Sequence, residues 1–244
     1  MKNLLSPLSI ALSGLLLAGA GAATCQAGSI QMTPVRVNLS NAAKVAVLTV
    51  HNTGSEDSVM QVTLNKWTLD GQNFVYQQSQ DLVITPVTFR LTAGAQQIVR
   101  IGLTGTPPVE REGTYRLLVE EIPPPASATV TGTRMVVRHD LPVFVAPLQP
   151  VKAALDVSVQ CQSQGPRLRL TNIGNVHMQL RSVALLNTAA NEVLWSSENI
   201  DYLLPDSQKS WDLTLKKPAM GQHLLVTTLT DQGSFTADVK NDCS

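Results

Sequence analysis

Short apolar runs separated by turn residues extend along nearly the whole chain, and they restrict its fold more than any other feature. Val, Leu, Ile and Thr alternate with polar residues in runs of strand length, and clusters of Gly, Pro, Asn and Asp separate them. No window carries the apolar repeat of an amphipathic helix. Such a pattern is typical of β-sandwiches. The predicted fold class is therefore all-β.

The clearest strand candidates are followed by turn signals. They are residues 44–50, 59–67, 97–103, 115–122, 134–145, 167–171 and 211–216. Asp70 and Gly71 form a dipeptide that predicts a hairpin. Asparagine-glycine turns at residues 52–54 and 172–175 each follow a strand, which indicates two halves of similar topology.

A segment bracketed by prolines, Ala-Pro-Leu-Gln-Pro at residues 146–150, marks the boundary between two domains. Proline cannot donate to a central strand ladder, so a strand is not expected to run through it. The boundary leaves residues 28–146 and 147–244, each near the size of an immunoglobulin-like sandwich of about 100 residues. The predicted architecture is two immunoglobulin-like β-sandwich domains.

The first 27 residues have the layout of a secretory signal peptide. Lys2 gives a positive start, residues 4–20 are apolar and small, and Cys-Gln-Ala at 25–27 offers a cleavage signal. A retained membrane anchor and a lipid-modified Cys25 are the alternatives. Export with cleavage is favoured, and no membrane insertion is expected afterwards, because no later apolar run has the length of a spanning helix.

Cleavage would leave two cysteines, Cys161 and Cys243. An even pair in an exported chain is typical of a disulfide. Two buried free thiols are the alternative. A metal site is disfavoured because the histidines are scattered singly along the chain.

Charge and motif content exclude several function classes. Lys and Arg number 18, as do Asp and Glu, and without a basic run nucleic-acid binding is not expected. The chain lacks a Gly-x-Ser-x-Gly elbow, a Gly-rich phosphate loop and a His-Glu-x-x-His motif. Glu120 and Glu121 point to opposite faces of a strand, and we expect Glu110 and Glu112, which flank a turn, to be solvated. We predict a protein that is not an enzyme and uses no cofactor or metal.

In their order and spacing, seven segments resemble the periplasmic pilus-assembly chaperones of the chaperone–usher pathway. They are Met-Thr-Pro-Val-Arg-Val-Asn-Leu at 32–39, Val-Leu-Thr-Val-His-Asn at 47–52, Thr-Pro-Val-Thr-Phe-Arg-Leu at 85–91, Gln-Ile-Val-Arg-Ile at 97–101, Tyr-Arg-Leu-Leu-Val-Glu-Glu-Ile-Pro at 115–123, Leu-Pro-Val-Phe-Val at 141–145 and Leu-Thr-Asn-Ile-Gly-Asn at 170–175. The resemblance covers essentially the whole mature chain. In style it is closest to the branch that serves spore-coat-like and archaic pili.

The resemblance implies a boomerang of two immunoglobulin-like domains with a cleft between them, in the periplasm of a Gram-negative bacterium. It implies a chaperone that lends one of its strands to an incomplete pilus or fimbrial subunit and delivers that subunit to an outer-membrane usher. A subunit that lacks a strand has an open sheet edge, and an added strand supplies the missing main-chain hydrogen bonds. An exposed lending strand also invites capping by a second copy of the chain.

The strand at residues 134–145 is the predicted lending strand. Alternation places Met135, Val137 and Leu141 on one face. Met135 and Val137 are the predicted groove-filling residues, with Val136 in their place if the register shifts by one. Methionine suits a surface that accepts several subunits, because it is flexible and polarisable. The alternative is an ordinary core strand, which we favour for residues 141–145.

The resemblance also implies a pair of basic residues that anchor the subunit's terminal carboxylate in the cleft. Arg36 matches the family's first-strand arginine, and a guanidinium can bind a carboxylate through two parallel hydrogen bonds. A surface arginine is the alternative. The family's second anchor is a lysine, and here Pro142 occupies the matching position and carries no charge. The candidate substitutes are Arg90, Arg100, Arg116 and Arg138, of which Arg138 lies nearest on the strand.

An exported adhesin or surface scaffold built from tandem immunoglobulin-like domains is the competing hypothesis. Such a protein needs neither an apolar lending strand nor a basic cleft. Aromatic residues make up only 4% of the chain, which argues against carbohydrate recognition by stacking. A pilus subunit itself would be shorter and have a single domain. The chaperone is the favoured interpretation.

Overall fold

The computed structural model describes residues 30–70, 73–123, 136–162, 165–187, 189–190, 192–198, 201–215 and 222–241. The predicted signal peptide, Met135 and Cys243 lie outside these ranges. Within them the chain forms strands, and no helix there is long and apolar enough to cross a membrane. The all-β prediction is confirmed.

The strands alternate with turns along the described chain. In the first half they are β1 (Ile30–Thr33), β2 (Val37–Leu39), β3 (Val45–Asn52), β4 (Ser58–Asp70), β5 (Asn73–Gln78), β6 (Leu82–Thr85), β7 (Thr88–Leu91), β8 (Gln96–Leu103), β9 (Gly113–Ile122) and β10 (Arg138–Val145). In the second half they are β11 (Leu155–Gln162), β12 (Gly165–Asn172), β13 (Met178–Asn187), β14 (Glu192–Ser197), β15 (Asp201–Leu203), β16 (Gln208–Asp212), β17 (Gln222–Thr230) and β18 (Gly233–Asn241).

Strands β1 to β10 build two sheets that face one another. One has the order β1-β3-β8-β6, and the other has the order β2-β10-β9-β4-β5, with β7 also paired to β4. Their pairings are antiparallel except that of β2 with β10, which is parallel. The side chains that point inward form one core, which includes the fully buried Leu48, Val50, Leu117 and Val119.

Strands β11 to β18 build a second pair of sheets. Their orders are β11-β12-β16 and β14-β13-β17-β18, with β15 also paired to β13. A separate core lies between them and includes the fully buried Leu168, Leu170 and Leu185. The segment predicted to separate the domains, residues 146–150, lies between β10 and β11.

Most predicted strands are confirmed, and the hairpin predicted at Asp70 joins β4 to β5. Two predicted ends are wrong. The run at residues 211–216 continues as strand only to Asp212, where its pairing with β12 ends opposite Arg167. In the described part of the run at 134–145, strand begins only at Arg138, where the pairing with β9 begins opposite Glu120.

One buried asparagine organises the equivalent turn in each half. Asn52 and Asn172 are both fully buried. In each, the side-chain oxygen accepts a hydrogen bond at 2.9 Å from the N–H of the glycine two residues on, Gly54 or Gly174. Each side-chain amide donates to two backbone carbonyls at 2.7–3.2 Å. The shared pattern agrees with the similar topology that the two turns indicate.

Replacement of Gly174 by alanine is expected to destabilise the second domain by about 1–3 kcal/mol, the usual cost of overpacking. An added Cβ would lie 2.2 Å from the carbonyl oxygen of Lys152 and 2.8 Å from the nitrogen of Ala154, and backbone atoms cannot move aside as a flexible side chain can. Thermal denaturation measures the effect. Gly105→Ala is the matched control, since nothing lies within 4 Å of its Cβ. Equal melting temperatures for the two variants would contradict the expectation.

Candidate functional site

Aromatic side chains from both halves pack together where the two sandwiches meet. Trp67 and Phe144 come from the first half, and Leu204 and Tyr202 come from the second. Trp67, Phe144 and Leu204 are at most 3% exposed. Residues 141–145 are all buried, because alternate side chains enter the first core while Phe144 enters this junction. The interpretation of residues 141–145 as a core strand is confirmed for Leu141, Val143 and Val145, which enter the first core. It did not predict that Phe144, on the other face, packs into the junction.

A histidine of the second half lies between two carboxylates, one from each half. Nδ1 of His177 is 2.7 Å from Oε2 of Glu112, which also accepts the backbone N–H of His177 at 2.8 Å. Nε2 is 3.4 Å from Oδ2 of Asp231, within ion-pair range but without hydrogen-bond geometry. The ring stacks on Phe144 with centroids 3.4 Å apart. Glu112 was expected to be solvated, and that was wrong: its side chain is 6% exposed, because the second half covers its turn.

The charges in this cluster favour a protonated histidine. Burial lowers the pKa of His177, but its electrostatic interactions with the Asp231 and Glu112 carboxylates outweigh that effect, so the pKa is raised. Burial raises the pKa of the Asp231 carboxyl, and the His177 imidazole, the Gln179 N–H and the Arg36 guanidinium outweigh it, so this pKa falls to about 2. Below its raised pKa, His177 is an imidazolium that lies between two carboxylates and links the two halves.

The stability of the protein is expected to fall as the pH rises from the pKa of free histidine, about 6.5, through the raised pKa of His177. The pKa of His177 is raised on folding, so its contribution is complete below the pKa of free histidine, about 6.5, and is lost as the pH rises through the folded-state pKa. Asp231 has the opposite sign: its contribution is complete above about pH 3.9 and is lost only as the pH falls towards 2. Urea denaturation at a series of pH values measures the profile.

Two variants isolate the histidine in that profile. His177→Gln removes the titrating group and is expected to flatten the decline that starts near the pKa of free histidine. His223→Gln is the matched control, because His223 is exposed on β17 and should leave the decline unchanged. Identical profiles for the wild type and His177→Gln would contradict the assignment.

Arg36 joins the cluster through Asp231. Its Nη1 is 2.6 Å from Oδ2 of that residue, and the arginine side chain is 37% exposed whereas the aspartate is 6% exposed. Arg36 immediately precedes β2, whose Val37 pairs with Val143, so it comes next to Pro142. The bond to Asp231 therefore holds a partly exposed guanidinium at the junction of the halves.

Arg116 lies on the other side of Pro142, directly opposite it in the β9–β10 register. Its guanidinium carbon is 3.9 Å from the ring centroid of Trp67 and 5.5 Å from that of Tyr202. The side chain is 15% exposed, and its ion-pair partner Asp140 is 3.6 Å away. Nε is buried without a hydrogen-bond partner. A second guanidinium is thus held beside the junction.

Arg138, the predicted second anchor, occupies a different place. It begins β10, is 60% exposed, and has Nε 3.4 Å from a carboxylate oxygen of Glu120. Pro142 lies four positions further along the extended strand, about 13 Å away. The structure brings Arg36 and Arg116 to either side of Pro142 and leaves Arg138 at the far end of the strand.

One edge of β10 is open over most of its length. β9 pairs with all of Arg138–Val145, whereas β2 pairs only with Val143, Phe144 and Val145. On the β2 side, residues 138–142 therefore have no strand neighbour within the described chain. Pro142 fits this edge, since proline is confined to edge positions of sheets.

The predicted lending residues lie just before this edge. The carbonyl of Val137 accepts a hydrogen bond from the N–H of Glu121 at 3.1 Å, so the chain still follows β9 there. Val136 is 45% exposed. Met135 lies outside the described residues, so its role stays a prediction.

The structure bears on the predicted disulfide for one of its two cysteines. Cys161 is disulfide-bonded. Cys243 lies outside the described residues, and its pairing with Cys161 stays a prediction.

Comparison with known proteins identifies the family. Residues 29–150, half of the chain, match the family described as pili and flagellar-assembly chaperone, PapD N-terminal domain. The chain belongs to this chaperone family. The resemblance drawn from the sequence is confirmed, and the family is one of chaperones rather than enzymes. No curated protein matches the sequence of this chaperone.

Solved structures share the fold of the chaperone over most of its length. A chain of the CsuC–CsuE complex from archaic Csu pili of Acinetobacter baumannii has a TM-score of 0.64 and 20% identity, and the match covers 88% of this chain and 99% of that one. The Escherichia coli chaperone DraB gives 0.57 and 24%, covering 86% and 97%. A chain of the Salmonella enterica SafA pilin–SafB chaperone complex gives 0.59 and 19%, covering 87% and 97%. The predicted pair of immunoglobulin-like domains is confirmed.

Proposed function

We propose that this chaperone works in the periplasm of a Gram-negative bacterium, where it captures pilus subunits by donor-strand complementation and delivers them to an outer-membrane usher. The observation that carries the proposal is the open edge of β10 beside the partly exposed Arg36. A subunit with a missing strand can add its own open edge to that strand and bury its uncovered core. The signal peptide predicted at residues 1–27 would supply export.

The lending segment in this proposal runs from Met135 into β10. Met135 and Val137 fill the subunit's groove, and residues 138–142 supply main-chain hydrogen bonds from the open edge. The buried residues 141–145 fix the end of the segment in the chaperone itself, since both of their faces are packed. A strand held firmly at one end needs less ordering when a subunit binds.

Arg36 anchors the terminal carboxylate of the subunit and so sets the register of the added strand. A guanidinium at the mouth of the junction can make charge-assisted hydrogen bonds to that carboxylate. Asp231 supports this role, because its 2.6 Å contact positions the arginine before a subunit arrives.

Similar structures support the choice of partner. One is described as a pre-assembly complex of a chaperone with a tip adhesion subunit, and another as a pilin in complex with its chaperone. We infer that the partner of this chain is likewise an incomplete pilus or fimbrial subunit.

Co-expression with the small exported proteins encoded beside it, followed by pull-down from a periplasmic extract, tests the proposal. We expect a soluble one-to-one complex with a neighbour that aggregates when expressed alone. Failure of every neighbour to bind, together with binding of the purified chain to glycans or a host surface, would favour the tandem-domain adhesin instead.

A further inference from the structure

We propose that His139 determines which subunits this chaperone accepts, because its ring has to be matched by a hydroxyl or carboxamide side chain on the incoming subunit strand. The inference rests on the proposed lending of β10 and of the segment before it. The other residues of the same alternating row, Met135, Val137 and Leu141, are apolar. His139 therefore adds a polar requirement to a contact that is otherwise apolar.

The strand register places His139 on the face of β10 that points into the first core. Leu141, Val143 and Val145 enter that core, and alternation puts His139 on the same face. The residue opposite it on β9 is Val119, which is fully buried in the same core. His139 itself is only partly buried. It is therefore the first inward-facing residue of β10, where the lending segment leads into the fully packed part of the strand.

The imidazole of His139 has a polar atom that the chaperone does not satisfy. Its Nε2 is buried and has no hydrogen-bond partner in the described part of the chain. Glu121, the next inward-facing residue of β9 after Val119, accepts the hydroxyl of Ser58 at 3.1 Å instead. A buried nitrogen without a partner costs free energy, and a hydrogen bond to a bound protein recovers it.

The open side of β10 is where a partner for His139 can arrive. β9 pairs with one side of the strand over Arg138–Val145, and β2 covers the other side only from Val143 onward. A subunit strand added beside residues 138–142 would lie about 5 Å from β10. Its residue opposite His139 would have its side chain on the same inward face, within reach of the imidazole. The group that satisfies Nε2 is therefore expected to come from the subunit.

The chemistry of the ring defines the matching side chain. Nε2 donates a hydrogen bond in one tautomer of neutral histidine and accepts one in the other. A hydroxyl or a carboxamide can supply either partner, so serine, threonine, asparagine and glutamine fit. An aliphatic side chain would leave the nitrogen buried and unpaired, and a site built around a hydrogen bond discriminates strongly against a partner that lacks it. His139 therefore selects against subunits that are apolar at this position.

A double-mutant cycle between the chaperone and its co-purified subunit tests the inference. On the chaperone, His139→Leu removes the polar ring, and His139→Gln keeps a group that can donate and accept. On the subunit, each serine, threonine, asparagine and glutamine of its edge strands is replaced by alanine in turn. His223→Leu, the same change at an exposed position of β17, is the matched control and should leave capture unchanged.

His139→Leu is expected to weaken capture of the natural subunit about tenfold, because the polar side chain of the subunit is then buried without a partner. His139→Gln should stay within about threefold of the wild type. One of the subunit replacements should remove the difference between the wild type and His139→Leu, since the two positions then no longer interact.

Two further measurements separate recognition from a structural role of His139. Loss of the unpaired nitrogen should leave the melting temperature of free His139→Leu equal to or above that of the wild type, although capture falls. The NMR signal of the Nε2 nitrogen of His139 should shift when the wild-type chaperone binds the subunit, whereas the signal of His223 should not.

Several results would overturn the inference while the proposed function stands. One is capture by His139→Leu within about twofold of the wild type, the usual range of a neutral substitution. Others are subunit replacements that all act independently of His139, and an Nε2 signal that binding leaves unchanged. A lower melting temperature with equal losses for both His139 variants would assign the residue to folding. If His139→Leu does not fold, His139→Gln in the same cycle and the NMR signal decide. If the wild type captures no subunit, the proposed function fails, and this inference fails with it.

Discussion

Replacing Met135 and Val137 together by aspartate is expected to abolish complex formation with the subunit while leaving the chaperone folded. In a subunit groove each carboxylate would be buried without a partner, which costs about 3–5 kcal/mol. That cost alone weakens binding roughly 100-fold or more. The fold should tolerate the change, because Val137 is only half-buried and precedes the packed residues 141–145. Size-exclusion chromatography of co-expressed proteins measures the complex.

A matched pair of charges elsewhere controls for the added aspartates. Val45 and Val47 are 62% and 47% exposed on β3, in the other sheet, and their double replacement by aspartate should leave capture unchanged. Val136→Asp tests the register: it should be tolerated if Met135 and Val137 enter the groove. A normal complex with the Met135/Val137 double variant would show that another strand is lent.

Arg36→Ala is expected to leave both domains folded and to weaken subunit capture by about 30-fold or more, since loss of one partner of a desolvated charge pair costs about 2–5 kcal/mol. The variant removes the proposed carboxylate anchor and also the 2.6 Å bond to Asp231. Isothermal titration calorimetry measures the loss. The subunit is supplied as a complex with a chaperone that binds it more weakly.

Arg111→Ala is the control that distinguishes loss of the proposed carboxylate anchor from loss of an ion pair between the two halves. Arg111 also joins the two halves by an ion pair, 2.7 Å from Asp206, but the side chains of both residues are more than half exposed. It should lower stability slightly and leave capture unchanged. Equal capture by Arg36→Ala and the wild type, or equal losses in both arginine variants, would remove Arg36 from the anchor.

The strands were predictable because their signal is local. Alternation and turn residues place β3, β4, β8 and β9 within a few residues of their observed bounds, and the Asn52 and Asn172 turns repeat one local hydrogen-bond pattern. The wrong ends at residues 212 and 138 depend on where the pairing with a partner strand stops, which alternation does not report.

The junction was not predictable because its members are far apart in sequence. His177 packs against Glu112 although the two residues are 65 positions apart in the sequence. Phe144 looks like a core residue in the sequence, and only the second domain reveals that its face is the junction. Of the candidate arginines, Arg36 could be chosen by its place in a motif. Arg116 could be separated from Arg138 only through the strand register, which sets it opposite Pro142.

Hydrogen–deuterium exchange of the chaperone, free and bound to its co-purified subunit, tests the central claim most directly. If the chain lends the strand that leads into β10, amides in residues 134–141 should show the largest slowing of exchange on binding, because a subunit strand then occupies the open edge. Unchanged exchange in that segment, with protection instead on another face such as that of Val45 and Val47, would contradict the account.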